Sequence, residues 1–357
     1  MYFRVLADLG DRLYGYVVPD NSDGYCDIVL RSGGRDIAVR PANELRSDLA
    51  GLIDVGRHQT GACGFTFDEE TVPGLRKLTD LEIYIADAQI LIYKRARQDQ
   101  IPKRILRLES HLYPLWRLDA AINPYFQYSS NRIDNLGHET TTQMLLPYDV
   151  GSVYISGRIL FDKYREYIER KFDVIFLMHH PLEELGERLV LLSRIKADSK
   201  DVLSMRDNLS MRAAIAFAQS LSFHDEAKLA RQFRNIPHDV ARVLANPVTR
   251  QLTVASPDEM PRKQAVSRAL DGLASFAVIG LRRAPNITLD ALAEFIGVSG
   301  GALPPLTNLP GVTALAKALK RARAADGLLD QDLELYQHVA DAYRQSSQAK
   351  PASVAHP

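Results

Sequence analysis

The stretch Lys171–Leu189, with the sequence KFDVIFLMHHPLEELGERL, decides the fold class of this chain. Its apolar run Val174–Met178 has the length and composition of a fully buried strand. Pro181 follows after two histidines, and proline is favoured at the first position of a helix because its missing N–H has no partner there. The stretch therefore predicts a buried strand that leads into a helix, and helix N-termini of this kind are suited to binding anions.

The same alternation of strands and helices continues over most of the chain from about residue 105. Short apolar runs predict further strands at Tyr125–Tyr128 and Ser152–Ile155. Apolar residues at helical spacing predict helices at Phe161–Arg170, Pro181–Arg194, Ser210–Leu221, His224–Phe233, Pro261–Leu273, Leu289–Phe295, Val312–Arg323 and Asp330–Tyr343. We therefore expect an α/β domain with a central parallel sheet flanked by helices over residues 105–345, and a disordered tail over residues 346–357.

Residues 1–95 have a different pattern, in which short apolar or alternating runs are separated by turn residues. The runs predict strands at Phe3–Leu6, Leu13–Val18, Asp27–Leu30, Asp36–Val39, Cys63–Phe67, Leu81–Ile85 and Gln89–Tyr93. Gly33 and Gly34 are typical of a tight hairpin, and Asn43 is a suitable N-cap for an amphipathic helix Asn43–Leu52. We expect a small antiparallel β-domain here, joined to the α/β domain by a charged linker over residues 96–104.

The composition excludes several classes of partner. The 44 basic residues balance the 44 acidic residues, so no net positive field favours nucleic acid. The sequence has no apolar run long enough to predict a membrane span, and its first residues do not resemble a secretory signal. Cys26 and Cys63 are accordingly expected to be reduced, buried side chains. These features predict a cytoplasmic protein or a peripheral partner of a membrane protein.

The opening stretch resembles the 3′-phosphate-binding strand and helix of carbohydrate sulfotransferases. That family follows the strand with Arg-Asp-Pro and places a serine six residues after the proline. Here His179 and His180 stand at the arginine and aspartate positions, and Glu187 stands at the serine position. A carboxylate at this position repels a phosphate. The resemblance therefore indicates a fold and an ancestry more firmly than it indicates an activity.

Four further segments resemble the same family, in the family's order. Asn246–Leu252 is close to its Asn-Pro-x-Thr-Arg-x-Leu segment, and Tyr154–Phe161 matches another segment except that Arg158 replaces a histidine. The remaining two are Ala269–Leu281 and Asp332–Tyr336. The resemblance implies a P-loop-type α/β fold. The first 95 residues resemble the β-sandwich modules that precede bacterial glycan-modifying enzymes.

In sulfotransferases a loop after the first strand cradles the 5′-phosphosulfate, and its nearest counterpart here is Leu136–Gln143. By resemblance, Gly137 supplies the turn, Arg132 is the closest cation, and hydroxyl donors come from Thr140, Thr141 and Thr142. Glu139, however, would face the phosphate. The alternative is that this segment is only a polar cap at the start of a helix.

A transferase also needs a base for the acceptor hydroxyl, and the candidates are His138, Glu139, His179 and His180. The two adjacent histidines point to opposite sides of a strand end, so we expect no metal site there. Their alternative role is to bond the backbone of a turn. Asn246 and Arg250 are the preferred pair for holding an anionic donor, because they lie in the best-matched segment.

Two functions follow from these patterns. The first is a sulfotransferase-like enzyme that transfers a sulfuryl group from 3′-phosphoadenosine 5′-phosphosulfate, or a group from a related donor, to a bacterial cell-surface polysaccharide. The second is a catalytically degenerate protein of the same fold, which binds a glycan, a nucleotide or a protein partner in polysaccharide assembly, or forms a homo-oligomer. No cofactor is expected, and the sulfonucleotide is the donor only if its site is intact. The substitutions at His179 and Glu187 predict that it does not bind in the usual way.

Overall fold

The computed structural model describes residues 1–19, 24–47, 61–146, 150–195 and 202–349. The chain divides into two compact units. Unit 1 comprises Met1–Arg104, Ile122–Asn131 and Leu136–Ile155, and unit 2 comprises Ile105–Ala121, Arg132–Asn135 and Ser156–Pro357. The sequence-based division placed residues 122–131 and 136–155 in the α/β domain, whereas these ranges belong to unit 1.

Two four-stranded antiparallel sheets lie within the described part of the first hundred residues. Their strands are β1 (Tyr2–Asp8), β2 (Arg12–Val18), β3 (Asp27–Ser32), β4 (Arg35–Pro41), β5 (Glu44–Leu45), β6 (Ala62–Asp68), β7 (Glu82–Ile85) and β8 (Ile90–Lys94). One sheet has the order β1-β2-β6-β5 and the other has the order β4-β3-β7-β8. The expected antiparallel β-domain is thus confirmed.

Backbone geometry requires glycine at two places in unit 1, the hairpin between β3 and β4 and the strand β2. Gly33 and Gly34 have φ angles of 57° and 72°, which only glycine adopts at low cost, and they join β3 to β4 in the expected hairpin. At Gly15 in β2, a Cβ atom would lie 2.4 Å from the backbone oxygen of Arg4. Gly15 therefore permits β1 and β2 to pair closely.

The helix expected at Asn43–Leu52 is corrected by the structure. Glu44 and Leu45 form the short strand β5, which pairs with β6, while residues 48–52 lie outside the described part of the chain. The Glu44 carboxylate accepts a hydrogen bond from the Thr66 hydroxyl of β6 at 2.7 Å. Pairing with a neighbouring strand outweighs the helical pattern here, because sheet contacts depend on tertiary context.

Five parallel strands form a second kind of sheet, with the order β10-β11-β9-β12-β13. These strands are β9 (Arg104–Leu108), β10 (Tyr128–Ser130), β11 (Val153–Gly157), β12 (Asp173–Met178) and β13 (Val278–Leu281). The sheet confirms the expected α/β architecture. The central strand β9 was not predicted, because Arg104 and Arg107 interrupt its apolar run and the linker was placed up to Arg104.

Helices follow most of these strands and flank the parallel sheet. They are α1 (Trp116–Ile122), α2 (His138–Met144), α3 (Phe161–Ile168), α4 (Pro181–Arg194), α5 (Met205–Ser210), α6 (Arg212–Ser220), α7 (Glu226–Arg234), α8 (His238–Leu244), α9 (Pro247–Thr253), α10 (Ala265–Leu273), α11 (Pro285–Ile296), α12 (Val312–Arg321) and α13 (Asp330–Ala349). Helix α4 has the predicted bounds. The helix expected at Ser210–Leu221 is confirmed as α6, whereas α13 extends into the range expected to be disordered.

Packing around α4 fixes the position of the strand-to-helix turn that follows β12. Leu185, Leu189 and Leu192 of α4 are buried in a core shared with α6, α8 and α12. At Gly186 a Cβ atom would lie 3.3 Å from the backbone oxygen of Val312, so glycine permits α12 to approach α4 closely. Among the described residues, no helix combines the length and the apolar character that crossing a membrane requires.

Candidate functional site

The neighbouring strands β9 and β12 lead to opposite edges of the parallel sheet. After β9 the chain continues to β10 at one edge, whereas after β12 it continues to β13 at the other edge. Ligands of open α/β sheets bind at the carboxyl ends of strands whose connections diverge in this way. The segments that follow the carboxyl ends of β9 and β12 are Glu109–His111 and His179–His180. We therefore take this position as the candidate site.

The first segment places a histidine against a carboxylate. The Nδ1 atom of His111 lies 2.6 Å from Oε1 of Glu109, and both side chains are buried. Arg107 donates to Oε2 of Glu109 at 2.6 Å. Burial alone raises the pKa of Glu109, but the charge of Arg107 and the hydrogen bonds from His111 and Arg107 outweigh it and hold this pKa well below its usual range. Because the ionised carboxylate only accepts, the His111 proton lies on Nδ1 and its Nε2 faces away from Glu109.

Two glutamates of α4 face this histidine. Glu184 and Glu187 lie one helical turn apart and are each 1% exposed. One ligand atom from each of them and one from His111 all lie within 4.8 Å of one another. Arg188 donates to Oε1 of Glu184 at 2.8 Å, and Arg282 donates to Oε2 of Glu187 at 3.3 Å. Burial raises the pKa of Glu187 in spite of the attraction of His111 and Arg282.

His179 lies beside His111, with 5.7 Å between the centres of the two rings. Its Nε2–H donates to Oδ1 of Asn308 at 3.1 Å, and the same oxygen accepts from Arg282 at 2.9 Å. Burial, and then the charge of Arg282, lower the pKa of His179 to about 2. The ring is therefore neutral at physiological pH, and such a weak base removes protons poorly.

His180 has a structural role at the start of α4. Its Nδ1 accepts a hydrogen bond from the backbone N–H of Leu182 at 3.3 Å, so it serves as the N-cap of the helix. Burial, and then the charge of Arg283, lower the pKa of His180 to about 4. This geometry agrees with the alternative in which the histidines bond the backbone of a turn, and it is His180 that makes this bond.

The segment expected to form the 5′-phosphate loop is a helix instead. Gly137 precedes α2, and His138 and Glu139 lie exposed in its first turn. The hydroxyls of Thr141 and Thr142 donate to the backbone oxygens of Gly137 and His138, at 2.9 and 3.0 Å. Thr140 is buried in the same helix. The hydroxyls of Thr141 and Thr142 therefore bond backbone oxygens at the start of α2. This agrees with the alternative that the segment is only a polar cap at the start of a helix.

This segment and His179–Pro181 do not follow neighbouring strands. The strand before α2 is β10, and both β11 and β9 stand between β10 and β12 in the sheet. The strand next to β12 is β9, and the segment that follows β9 is Glu109–Pro114. Of the predicted phosphate ligands, Arg132 lines a cavity that also borders Glu109 and His111. Its guanidinium donates to the backbone oxygen of Val202 at 2.8 Å.

The best-matched sulfotransferase-like segment joins two helices. The side-chain oxygen of Asn246 accepts from the backbone N–H groups of Gln331 and Asp332 at 3.0 and 3.1 Å. In return, the buried Asp332 carboxylate accepts from the N–H groups of Val248 and Thr249 at 3.1 and 2.7 Å. The starts of α9 and α13 thus cap each other. This use of Asn246 is structural.

Arg250, the second residue of the predicted donor-binding pair, also contacts the protein itself. Its guanidinium donates to the backbone oxygens of Arg242 and Pro257. These contacts hold the loop that follows α9. The structure therefore places Asn246 and Arg250 in helix capping and loop contacts, while their binding of a donor stays a prediction.

Sequence reasoning did not single out Glu109, His111 and Glu184, which meet at the candidate site. A detectable signal was present, since Arg104–Leu108 is an apolar strand apart from its arginines and a polar segment follows directly. The spacing of three residues between Glu184 and Glu187 also predicts that both lie on one face of the predicted helix. No protein-family model matches the chain, and a search of curated proteins gives no match either. The resemblance to sulfotransferases therefore rests on the sequence segments themselves.

Proposed function

We propose that this chain is a cytoplasmic, sulfotransferase-like protein that has lost sulfonucleotide-dependent transfer. In this proposal it acts in bacterial cell-surface polysaccharide assembly by binding a glycan, a nucleotide or a protein partner. The polysaccharide context comes from the resemblance of its ordered segments to carbohydrate sulfotransferases. The buried ion pair between Glu187 and Arg282 is the observation that carries the loss of transfer.

Glu187 stands at the position where the resemblance expects a serine for the 3′-phosphate. Its side chain and that of Arg282 are each 2% exposed, and the two charged groups approach to 3.3 Å. A 3′-phosphate would have to displace Glu187 from this cation and would meet its carboxylate. Charge-assisted hydrogen bonds of this kind are worth about 1.5–3 kcal/mol, which corresponds to a loss of at least about tenfold in affinity.

The neighbouring cation is engaged in the same way. Arg283 donates to both oxygens of Glu183, at 3.2 and 3.1 Å. The arginines that follow β13 thus neutralise glutamates of α4. This pairing supports the proposal, because neither cation is left to neutralise the phosphate that the family binds at this helix.

One observation favours the alternative function, sulfuryl transfer to a sugar hydroxyl. Glu109 and His111 form a carboxylate-oriented imidazole, which is the arrangement that activates hydroxyl nucleophiles in many transferases and hydrolases. In that case Nε2 of His111 takes the acceptor proton while the hydroxyl oxygen attacks sulfur. The bond from sulfur to the bridging oxygen then breaks and releases adenosine 3′,5′-bisphosphate. His111 is 1% exposed and the cavity beside it has a volume of about 10 Å³, so an acceptor sugar reaches His111 only if this region opens.

Restoring the family residue tests the proposal. We expect Glu187→Ser, which frees Arg282, to bind adenosine 3′,5′-bisphosphate at least about tenfold more tightly than the unchanged chain does in calorimetry. The matched control is Glu226→Ser, which removes a glutamate from an exposed pair with Arg321 and should leave the affinity unchanged. Equal affinity in the unchanged chain and Glu187→Ser, together with sulfuryl transfer that His111→Gln abolishes, would favour the enzyme instead.

A further inference from the structure

We infer that His111, Glu184 and Glu187 form a binding site for one divalent transition-metal ion, with Zn²⁺ as the ion to test. This inference goes beyond the proposed function and does not depend on it. The three side chains come from the loop after β9 and from α4, and each is 1% exposed. One ligand atom from each lies within 4.8 Å of the other two.

The donor set suits such an ion. One imidazole nitrogen and two carboxylate oxygens are ligands that Zn²⁺ and other first-row divalent ions accept. Zn²⁺ at bond lengths near 2.1 Å needs ligand atoms roughly 3.3 Å apart, so the side chains have to close by at most about 1.5 Å. Three protein ligands leave a coordination position for water or a reactant.

Two of the three side chains present buried polar atoms that an ion would satisfy. Nε2 of His111 and Oε2 of Glu184 have no hydrogen-bond partner in the part of the chain that the structure describes. Leaving such atoms buried and unpartnered costs free energy in a protein interior. Because both belong to the cluster whose ligand atoms converge, a bound cation would give each of them a partner.

The ligands are already oriented by other side chains. Glu109 bonds Nδ1 of His111 at 2.6 Å, which directs Nε2 away from it, and this carboxylate–histidine contact is the usual support of a metal-binding imidazole. Arg188 bonds Oε1 of Glu184 at 2.8 Å and the backbone oxygen of Ser110 at 2.9 Å. It therefore ties α4 to the loop that carries His111 and leaves Oε2 of Glu184 for the ion.

The charge of the surroundings favours a cation. Arg107 serves two buried carboxylates, donating to Glu109 at 2.6 Å and to Asp119 at 2.9 Å. One guanidinium thus balances two negative charges next to His111. The competing cations are Arg188, which bonds Oε1 of Glu184 at 2.8 Å, and Arg282, which bonds Glu187 through Nη1 at 3.3 Å. Nη2 of Arg282 also bonds Asn308 and Thr307, and these contacts hold Arg282 in place if Glu187 turns toward the ion.

The test uses the full chain without a histidine tag, freed of metal by a chelator and titrated with ZnCl₂ in a calorimeter. We expect one ion per chain. Glu187→Gln and His111→Asn should each weaken binding by about 100-fold or more, whereas Glu109→Gln should weaken it by about 10–100-fold and keep the stoichiometry. Matched controls are Glu226→Gln and His338→Asn, which remove an exposed carboxylate and an exposed imidazole and should leave binding unchanged.

A second measurement covers the case in which a buried variant does not fold. X-ray absorption of the zinc-loaded, unchanged chain should show one imidazole nitrogen together with oxygen ligands. The inference is overturned if the unchanged chain takes up no zinc at equimolar concentration. Zinc affinity that is the same in the folded variants of His111 and Glu187, or a spectrum with sulfur ligands or several imidazoles, also overturns it.

Discussion

Glu187 of α4 and Arg282, which follows β13, face each other across 3.3 Å with both side chains 2% exposed. Each charge is taken out of water, and the pair is stable only because the partner and further hydrogen bonds replace the solvent. The pair lies at the helix where the resemblance to sulfotransferases expects a 3′-phosphate.

Arg282→Met should destabilise the chain by about 3 kcal/mol, because it leaves the buried Glu187 carboxylate without its cation. The measurement is chemical denaturation followed by circular dichroism. The control is Arg321→Met, which breaks the exposed pair with Glu226 and should change the denaturation midpoint little. Similar effects in both variants would contradict the assigned role of the buried pair.

Asn246→Ala should destabilise the chain more than Asn246→Gly does. Both substitutions remove the cap on Gln331 and Asp332, which is worth about 1 kcal/mol. Asn246 also has φ 40° and ψ 53°, and this left-handed conformation costs alanine roughly a further 1 kcal/mol. Urea denaturation gives both values, and an alanine variant as stable as the glycine variant would show that the backbone conformation is not strained.

His180→Asn should remove part of the pH dependence of folding. The pKa of His180 in the folded chain is lowered to about 4 from the ordinary value of 6.5, so the unfolded chain binds more protons between these values. Stability from the neutral imidazole is therefore full above pH 6.5 and is lost as the pH falls toward 4.

Asparagine can cap α4 without titrating, so the slope of unfolding free energy against pH between 4 and 6.5 should be smaller in His180→Asn. The groups around the ring are Arg283, Glu183, Lys320 and Tyr336, and they are unchanged in the variant. An identical slope in the two proteins would mean that His180 does not titrate in this range.

Asp8→Asn should make unit 1 less stable at neutral pH and less sensitive to acid. Asp8 accepts from Arg95 at 2.7 and 2.8 Å and from the Tyr93 hydroxyl at 2.8 Å. Burial alone raises the pKa of Asp8, but these hydrogen bonds outweigh it and lower the pKa. A lowered carboxyl pKa means stability that is present above about pH 4 and lost below it.

Acid titration of the unchanged chain and the Asp8→Asn variant, followed by the fluorescence of the tyrosines, checks this prediction. Asp11→Asn is a suitable control, since Asp11 pairs with Arg76 on the surface. Equal acid midpoints for the unchanged chain and Asp8→Asn would contradict the role given to the Asp8–Arg95 pair.

The strand and helix around Pro181 were predictable because both of their signals are local. An apolar run fixes β12, and a proline fixes the first residue of α4. Strand β9 was not predicted because Arg107 lies inside it, and the carboxylates of Glu109 and Asp119 accept hydrogen bonds from this buried arginine. The candidate site was missed for the same reason, since Glu109, His111 and Glu184 meet only when β9 and β12 become neighbours.

The structure of the segment around α2 could not be predicted from its sequence for a different reason. Its Gly-x-x-Thr-Thr-Thr composition fits a phosphate loop and a helix start equally well, and local composition does not separate the two. The position of the preceding strand distinguishes a phosphate loop from a helix start, because β10 lies at the edge of the sheet, away from β12. The position of a strand in a sheet depends on long-range pairing, which the local pattern around Gly137 does not contain.

The most direct test of the central claim is a calorimetric titration of the unchanged chain with adenosine 3′,5′-bisphosphate. The account predicts binding at least about tenfold weaker than a low-micromolar Kd, because Glu187 occupies Arg282 and repels the 3′-phosphate. One-site binding with a low-micromolar Kd that is lost in Arg282→Ala would contradict it and would show that the sulfonucleotide site is intact.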